Sequence, residues 1–417
     1  MAFQQGLSGL NAAARHLDTI GHNVANASTV GFKASRAEFA DVYATTVYGV
    51  SNVSPGIGTE VAAIAQQFSQ GALTTTNNSL DLGINGGGFF RMSDNGGAIT
   101  YTREGQFKLD KSGYIVNASG KRLTGYPVDK NGVVTNGTAQ DLKLDSTDIA
   151  PKATTSAAVR VNVDARATTP ANAFTLTDAK TYDGGTSVSV FDSLGREHVM
   201  AMYFRKTGDN SWEVHGTLDG EPLKGGAAVG KLAFNPNGTL KGASDGDGDP
   251  TTSNVMTFDV SLNMGADAGG NQTISVNFAD TTQFGTNFTV AHQEQNGNGS
   301  GKLAGFSVGR DGSLMARYTN GQTVSKGRVA LANFTNPQGL QPLGGNQWGE
   351  TADSGAPLVG SPSTGTLGVI QSGALESSNV DLTQELVNMI TAQRVYQANA
   401  QTVRTHDQLL QTIVNLR

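Results

Sequence analysis

Apolar residues recur every seven positions at both ends of this 417-residue chain, while almost everything between reads as strand and turn. Near the start, Phe3, Leu10, Leu17 and Val24 are spaced by seven, with Leu7, Ala14 and Gly21 four places after the first three. Ala13, Ile20 and Ala27 widen that stripe. From Asp381 to Leu416, the residues Leu382, Met389, Tyr396, Val403 and Leu410 repeat the period, and Leu386, Ala400 and Val414 sit four further on. Each end therefore predicts a long helix with an a/d-like seam. Gly6, Gly9 and Gly21 each cost the first helix about 1 kcal/mol, so alone it is marginal in water and needs a partner. The second helix is on the order of 50 Å long. Asp381 and Glu385 in its first turns and Arg417 at the end match the helix dipole, and Ser377, Ser378 and Asn379 are candidate caps.

Both helices carry more apolar surface than one seam uses. Val387, Ile390, Val395 and Leu409 fall off the main stripe of the second. A two-helix pair hides one stripe, and each further buried Leu or Val contributes about 1.5–3 kcal/mol. The plainer reading is a coiled-coil stalk that closes one domain. The sharper one is that the seams also pack against copies of themselves.

Between the helices, turn signals come at short spacing: Ser93–Gly97, Asp110–Gly113, Asn117–Gly120 and Asp129–Gly132. Phe107 and Leu109, then Tyr114 and Val116, alternate at period two. A second block with Val159, Val161 and Val163, then Met200, Met202 and Phe204, repeats the pattern around the turn FDSLGR at 191 to 196. KGASDGDGDP at 241 to 250 and QEQNGNGSG at 293 to 301 read as exposed loops. The style of the first block returns from 303 to 370. If the two ends pair, the chain goes out and comes back. The expected fold is mainly β with α-helical coiled-coil termini, in a nested multidomain arrangement of antiparallel sandwich- or barrel-like domains. Its expected parts are helices at 1–30 plus 376–417, connectors at 31–70 plus 356–375, an inner β domain at 71–146 plus 303–355, and an inserted outer β domain at 147–302.

The 54 Gly and 11 Pro, with charged residues at 15%, suit short strands joined by tight turns. A net charge of −6 argues against a nucleic-acid binder. The absence of cysteine excludes disulfides and thiolate chemistry. No basic n-region and apolar h-region open the chain, and no stretch approaches eighteen apolar residues, so neither a conventional signal peptide nor bilayer insertion is expected. Asp245, Asp247 and Asp249 mimic half of a calcium loop, but Pro250 and Met256 stand where that loop needs Gly and Glu. The six His show no metal-ligand spacing. Neither GxSxG nor a phosphate loop occurs. No cofactor and no catalytic or metal site is expected, which favours structural assembly over an enzyme. An adhesin-like β protein on a coiled-coil stalk remains open on these grounds.

Four stretches carry a family resemblance: NVANASTVGFK at 23 to 33, GALTTTNNSLDLGINGGGFF at 71 to 90, YTREGQFKLDKSGYIVNASGKRLTGY at 101 to 126 and SNVDLTQELVNMITAQRVYQANAQTV at 378 to 403. ETADSG at 350 to 355 adds a fifth, shorter one. The chain resembles the bacterial flagellar axial proteins, the rod, hook and hook-associated group. Its length and the 147–302 insert are similar to the hook members, with a distal rod or hook-associated protein as the alternative.

The resemblance implies a subunit exported by the flagellar type III apparatus with an uncleaved N-terminus and polymerised outside the cell. The product would be a flexible curved tube joining the basal-body rod to the filament. Implied partners are other copies, the distal rod protein, hook–filament junction proteins and a hook cap during growth. The packing residues are then expected to be Phe3, Leu7, Leu10, Leu17, Ile20, Val24, Leu382, Leu386, Met389, Tyr396, Val403 and Leu410. Asn23, Asn26, Gly31, Phe32 and Lys33 would form the connector. There Asn23 and Asn26 would cap the first helix, Gly31 would adopt a conformation other residues avoid, and Phe32 would anchor the chain to a neighbouring surface.

Overall fold

The computed structural model describes residues 2–42, 56–129, 132–135, 137–145, 147–246, 248, 250, 253–260 and 272–415. Its contacts divide the chain into two compact units. One comprises Met1–Ser146, Gly305–Arg317 and Thr323–Arg417, and the other Thr147–Ala304 and Tyr318–Gln322.

In the first unit, helix α1 (Ala2–Ala25) and helix α2 (Leu382–Asn415) pack against each other. They run antiparallel, since Gly6 meets Val403, Gly9 meets Asn399 and Asn23 reaches Glu385. The α2 cap is Asp381, whose Oδ1 accepts from the backbone N–H of Thr383 and Gln384 at 2.9 and 3.1 Å. The three candidates just upstream are not the cap. Aspartate wins because it satisfies two orphan donors and sets a negative charge at the positive helix end.

The described parts of the expected connector at 31–70 include regular structure. Strands β1 (Ser35–Val42) and β2 (Gly58–Gln66) form an antiparallel pair packed on α1. Gln5 Nε2 donates to Gly56 O at 2.5 Å, and the His16 and Phe39 rings meet edge-on at 5.7 Å. The outgoing and returning chains also pair directly. Leu73–Thr75 lies antiparallel to Ala374–Glu376, and Leu82–Asn85 to Val369–Ser372.

Beyond these pairs lies a larger sheet. Its central path runs Thr323–Val329, Arg122–Tyr126, Phe89–Ser93, Ile99–Thr102, Gln347–Gly349 and Gln341–Gly344, all antiparallel. One core gathers Leu82, Ile84, Phe90, Met92, Phe107 and Leu123. A second, aromatic one gathers Phe89, Tyr101, Phe334 and Trp348.

The second unit buries one core between two sheets. The first sheet is antiparallel and includes Gly184–Phe191, Glu197–Gly208, Ser211–Leu218, Gly230–Phe234 and Leu240–Asp245. The second is mixed, which departs from the all-antiparallel expectation. Ser156–Asp164 pairs in parallel with Gln272–Asn277 and Thr282–Phe284, and antiparallel with Thr289–Gln295. Parallel pairing needs a long crossover, and here the whole first sheet supplies it.

Two expected loops are partly strand. Leu240–Asp245 buries Gly242, Ala243 and Ser244, residues too small to give an apolar alternation. Gln293–Gln295 ends a strand whose side chains face out. Asp247 and Asp249 of the calcium-like run lie outside the described residues. The FDSLGR turn is built on Asp192, which is fully buried. Its Oδ1 accepts from the N–H of Leu194 and Arg196 at 2.9 and 2.7 Å, and its Oδ2 from Arg196 Nε at 2.7 Å.

Candidate functional site

Two features of the first unit stand out: the faces that the terminal helices leave open, and the buried junction at their base. α1 turns mainly small residues inward, with Ile20 among them. Ala12, Ala13, Thr19, Ile20 and Asn23 are buried, whereas Phe3 and Leu7 are 44% and 45% exposed. Glycines set the helix separation, for a β-carbon on Gly6 would lie 3.1 Å from Val403 Cγ2, and one on Gly9 only 2.9 Å from Asn399 Nδ2. Their low helix propensity is thus exchanged for close approach. Gly21 meets nothing within 4 Å, and its cost has no such return.

Among the described side chains of α2 only Ala392 is buried. Met389 and Val403 are half-buried, as are Leu10, Leu17 and Val24 of α1. Leu382, Leu386, Val387, Ile390, Val395, Tyr396 and Leu409 are all exposed. The Leu410 side chain lies outside the described residues. The intramolecular seam is therefore narrower than the heptad pattern implies. Mostly small residues, with Ile20, fill it, and many large residues of both the main and the extra stripes are left uncovered.

The connector motif folds into the junction. Asn23 does not cap α1; its amide spans to Ser35, donating to Ser35 O and accepting from Ser35 N, each at 2.8 Å. Asn26 does bond the helix end, donating Nδ2 to His22 O at 2.9 Å. Gly31 has φ +69°, and a β-carbon there would sit 2.6 Å from Glu104 N. Phe32 is buried against the chain's own His22 ring, 5.3 Å between centroids, rather than presented to a neighbour.

Lys33 is 1% exposed and leads to residues that periodicity did not single out. Its Nζ donates to Glu376 Oε1 and Ser69 O, both at 2.7 Å. Glu376 Oε1 also accepts from Gly71 N at 2.9 Å, and Oε2 from Arg103 Nη1 at 3.0 Å. Arg103 Nη2 donates to Gly86 O at 2.9 Å, and its guanidinium lies 5.3 Å from the Phe89 ring centre. Burial pulls both cations below their ordinary values, opposed by the Glu376 carboxylate.

Beside them Asn379 accepts from Ala34 N at 2.8 Å and donates to Gln67 O at 2.7 Å. Both chain crossings between helices and sheet are thus tied to one carboxylate. Removing a single member of such a buried set costs about 3–5 kcal/mol, because the others are left unpaired. The arrangement offers no nucleophile–base pair. Among the described residues no group of three or more His, Asp and Glu is placed to hold a metal ion.

Family models match along the chain: "Flagella basal body rod protein" over residues 3–33, "Flagellar hook protein FlgE/F/G D1 domain" over 83–169, "Flagellar basal body protein FlaE D2 domain" over 162–298 and "Flagellar basal body rod FlgEFG protein C-terminal" over 371–416. The flagellar hook protein FlgE of Escherichia coli is 41% identical over 422 residues, covering 100% of both chains. The chain belongs to the flagellar hook protein family. Another hook protein, from Salmonella typhimurium, is 41% identical over 424 residues and likewise matches end to end. The crystal structure of Helicobacter pylori flagellar hook protein FlgE2 shares the fold, with a TM-score of 0.55 over 73% of this chain and 100% of that one at 15% identity. In this hook-family chain, Lys33, Arg103 and Glu376 come from three separately matched segments, 3–33, 83–169 and 371–416, which the fold brings to one point.

Proposed function

We propose that this hook-family chain is a structural subunit that assembles with its own copies into a flexible curved tube. That tube links the basal-body rod to the filament and transmits torque. The single observation carrying this reading is the exposure of Phe3, Leu7, Leu382, Leu386, Val387 and Ile390 on the two terminal helices. A solitary subunit leaves these side chains in water, and burying each between copies contributes about 1.5–3 kcal/mol. The helices then form a shared coiled-coil layer at 1–30 plus 376–417, tied through the connectors 31–70 and 356–375 to an inner β domain at 71–146 plus 303–355. The insert at 147–302 is the outer domain. Full-length similarity to hook proteins supports the hook over the rod or hook-associated alternative.

The same family reading gives export by the flagellar type III apparatus without N-terminal cleavage. It also gives contacts with the distal rod protein, the hook cap and the hook–filament junction proteins. The test uses Leu382→Ser, Leu386→Ser and Ile390→Ser together. These side chains are exposed in the subunit, so its circular dichroism should be unchanged while sedimentable tubes vanish. Tubes forming at wild-type yield would refute the reading.

A further inference from the structure

Eight Asn–Gly steps punctuate the chain, and at each of them the backbone can attack its own side chain. That attack needs a carboxamide free to turn, a following N–H free to approach it, and no β-carbon in the way. Glycine meets the last condition at all eight. Hydrogen bonding decides the other two.

Six of the steps fall on described residues, and five of those are held. Asn85 ends a strand, and Gly86 N donates to Gln70 Oε1 at 2.9 Å. Asn237 Oδ1 accepts from Thr239 Oγ1 at 2.7 Å while Gly238 N donates to Asn235 O at 2.9 Å. Asn296 Oδ1 accepts from the N–H of Thr155 and Ser156 at 2.9 and 3.0 Å. Asn298 Nδ2 donates to Gly299 O at 3.0 Å. Asn320 Nδ2 donates to the same oxygen at 2.8 Å, and Gly321 N donates to Tyr318 O at 3.1 Å.

Asn95 is different. It sits at the tip of the hairpin between Phe89–Ser93 and Ile99–Thr102, where Asp94 to Ala98 are all exposed. Among the described residues none bonds its side chain. Gly96 N has only a long contact with Asp94 Oδ1, at 3.4 Å. A β-carbon built on Gly96 or Gly97 would meet nothing within 4 Å, so a ring formed here has room.

We infer that Asn95 is a site of spontaneous covalent modification, converting to aspartate and isoaspartate in the folded subunit ahead of the other described Asn–Gly steps. Gly96 N attacks Asn95 Cγ, and the Cγ–Nδ2 bond breaks. The amide proton reaches the departing nitrogen through solvent, and ammonia leaves a succinimide. Water then opens that ring. Cleavage of the new bond to Cγ gives aspartate in the normal chain, and cleavage of the original peptide bond gives isoaspartate, with the chain running through Cγ. Water is the only co-reactant, and nothing is oxidised or reduced. Each event adds a negative charge beside Asp94, while the buried Met92 and Tyr101 lie outside the turn. A long-lived subunit therefore gains charge at this tip as it ages.

The test follows the purified full chain, folded and in parallel unfolded in urea, in mildly alkaline buffer. Peptide mapping by mass spectrometry separates the aspartate and isoaspartate forms. In urea the Asn–Gly steps should convert at similar rates. In the folded chain Asn95 should keep most of its urea rate, while Asn85, Asn237, Asn296, Asn298 and Asn320 slow roughly tenfold or more. Equal slowing of Asn95, or any of those five overtaking it, would overturn the proposal. Gly96→Ala supplies a second test, since that position is exposed and its φ is not in the left-handed region. Circular dichroism should be unchanged, and a β-carbon beside the attacking nitrogen should cut conversion at Asn95 roughly tenfold. Conversion at the unsubstituted rate would reject attack by the backbone.

Discussion

Glu376 concentrates more of the fold on one side chain than any other residue of the junction. It accepts from Lys33, Gly71 and Arg103, each from a different stretch of chain. Glu376→Gln leaves two buried cations without an anion, and a loss of about 3–5 kcal/mol in the first unit is expected from urea denaturation. Lys33→Arg is a poor substitute, since the planar fork does not match a site built for a point charge.

Asp192 is one carboxyl through which the second unit responds to acid. Burial pushes its carboxyl up, but two backbone N–H groups and Arg196 outweigh that and hold it below the usual value of 3.8. Its stabilisation is therefore present above pH 3.8 and is lost as pH falls from there through the lowered value. Thermal melts between about pH 5 and 2 should show the wild-type transition falling more steeply than that of Asp192→Asn, which loses this titration. Equal slopes would remove Asp192 from the account. The turn was legible from FDSLGR; the burial and linkage of its first polar residue were not, because both depend on the sheet beneath it.

At the scale of the element, the two helices were the most visible feature of the sequence, yet their faces were assigned only in part. Seven-residue spacing located Phe3, Leu10 and Leu17 correctly on a helix. It could not say that the partner would approach through Gly6, Gly9 and Ala13 instead. Glycine looks like a defect to propensity and becomes a contact surface only when a second helix is present. Gly9→Leu should consequently be destabilising even though it improves intrinsic helicity. A loss of α1–α2 contact, seen as faster amide exchange along α1, is expected, and slower exchange would contradict the close approach. Asp381→Ala tests the other end of the pair. Loss of the cap should cost about 1 kcal/mol, measurable in the free subunit.

For the whole molecule, the balance of forces is apolar. The exposed stripes are aliphatic and aromatic, and the chain carries few charges for its length. Assembly driven this way weakens on cooling, because hydrophobic association loses strength at low temperature. It should respond little to sodium chloride between about 0.05 and 0.5 M, a range over which exposed charge pairs are strongly screened. Sedimentation of assembled protein at 4 and 30 °C (roughly the span over which the apolar term changes sensibly) is expected to show a higher critical concentration in the cold. A strong salt dependence with no temperature dependence would point to ionic contacts instead.

The sequence alone determined that two heptad helices frame a β-rich chain that goes out and returns, because period, turn residues and composition are local properties. It also carried the family, through motifs at both ends and in the first β block. Tertiary structure alone decided which helical faces are spent within the subunit, that Asn23 pins a strand instead of capping a helix, and that Lys33, Arg103 and Glu376 share one buried point. These are meetings between residues from 12 to 343 positions apart. No local pattern encodes them, since what selects them is the shape and burial of the surroundings.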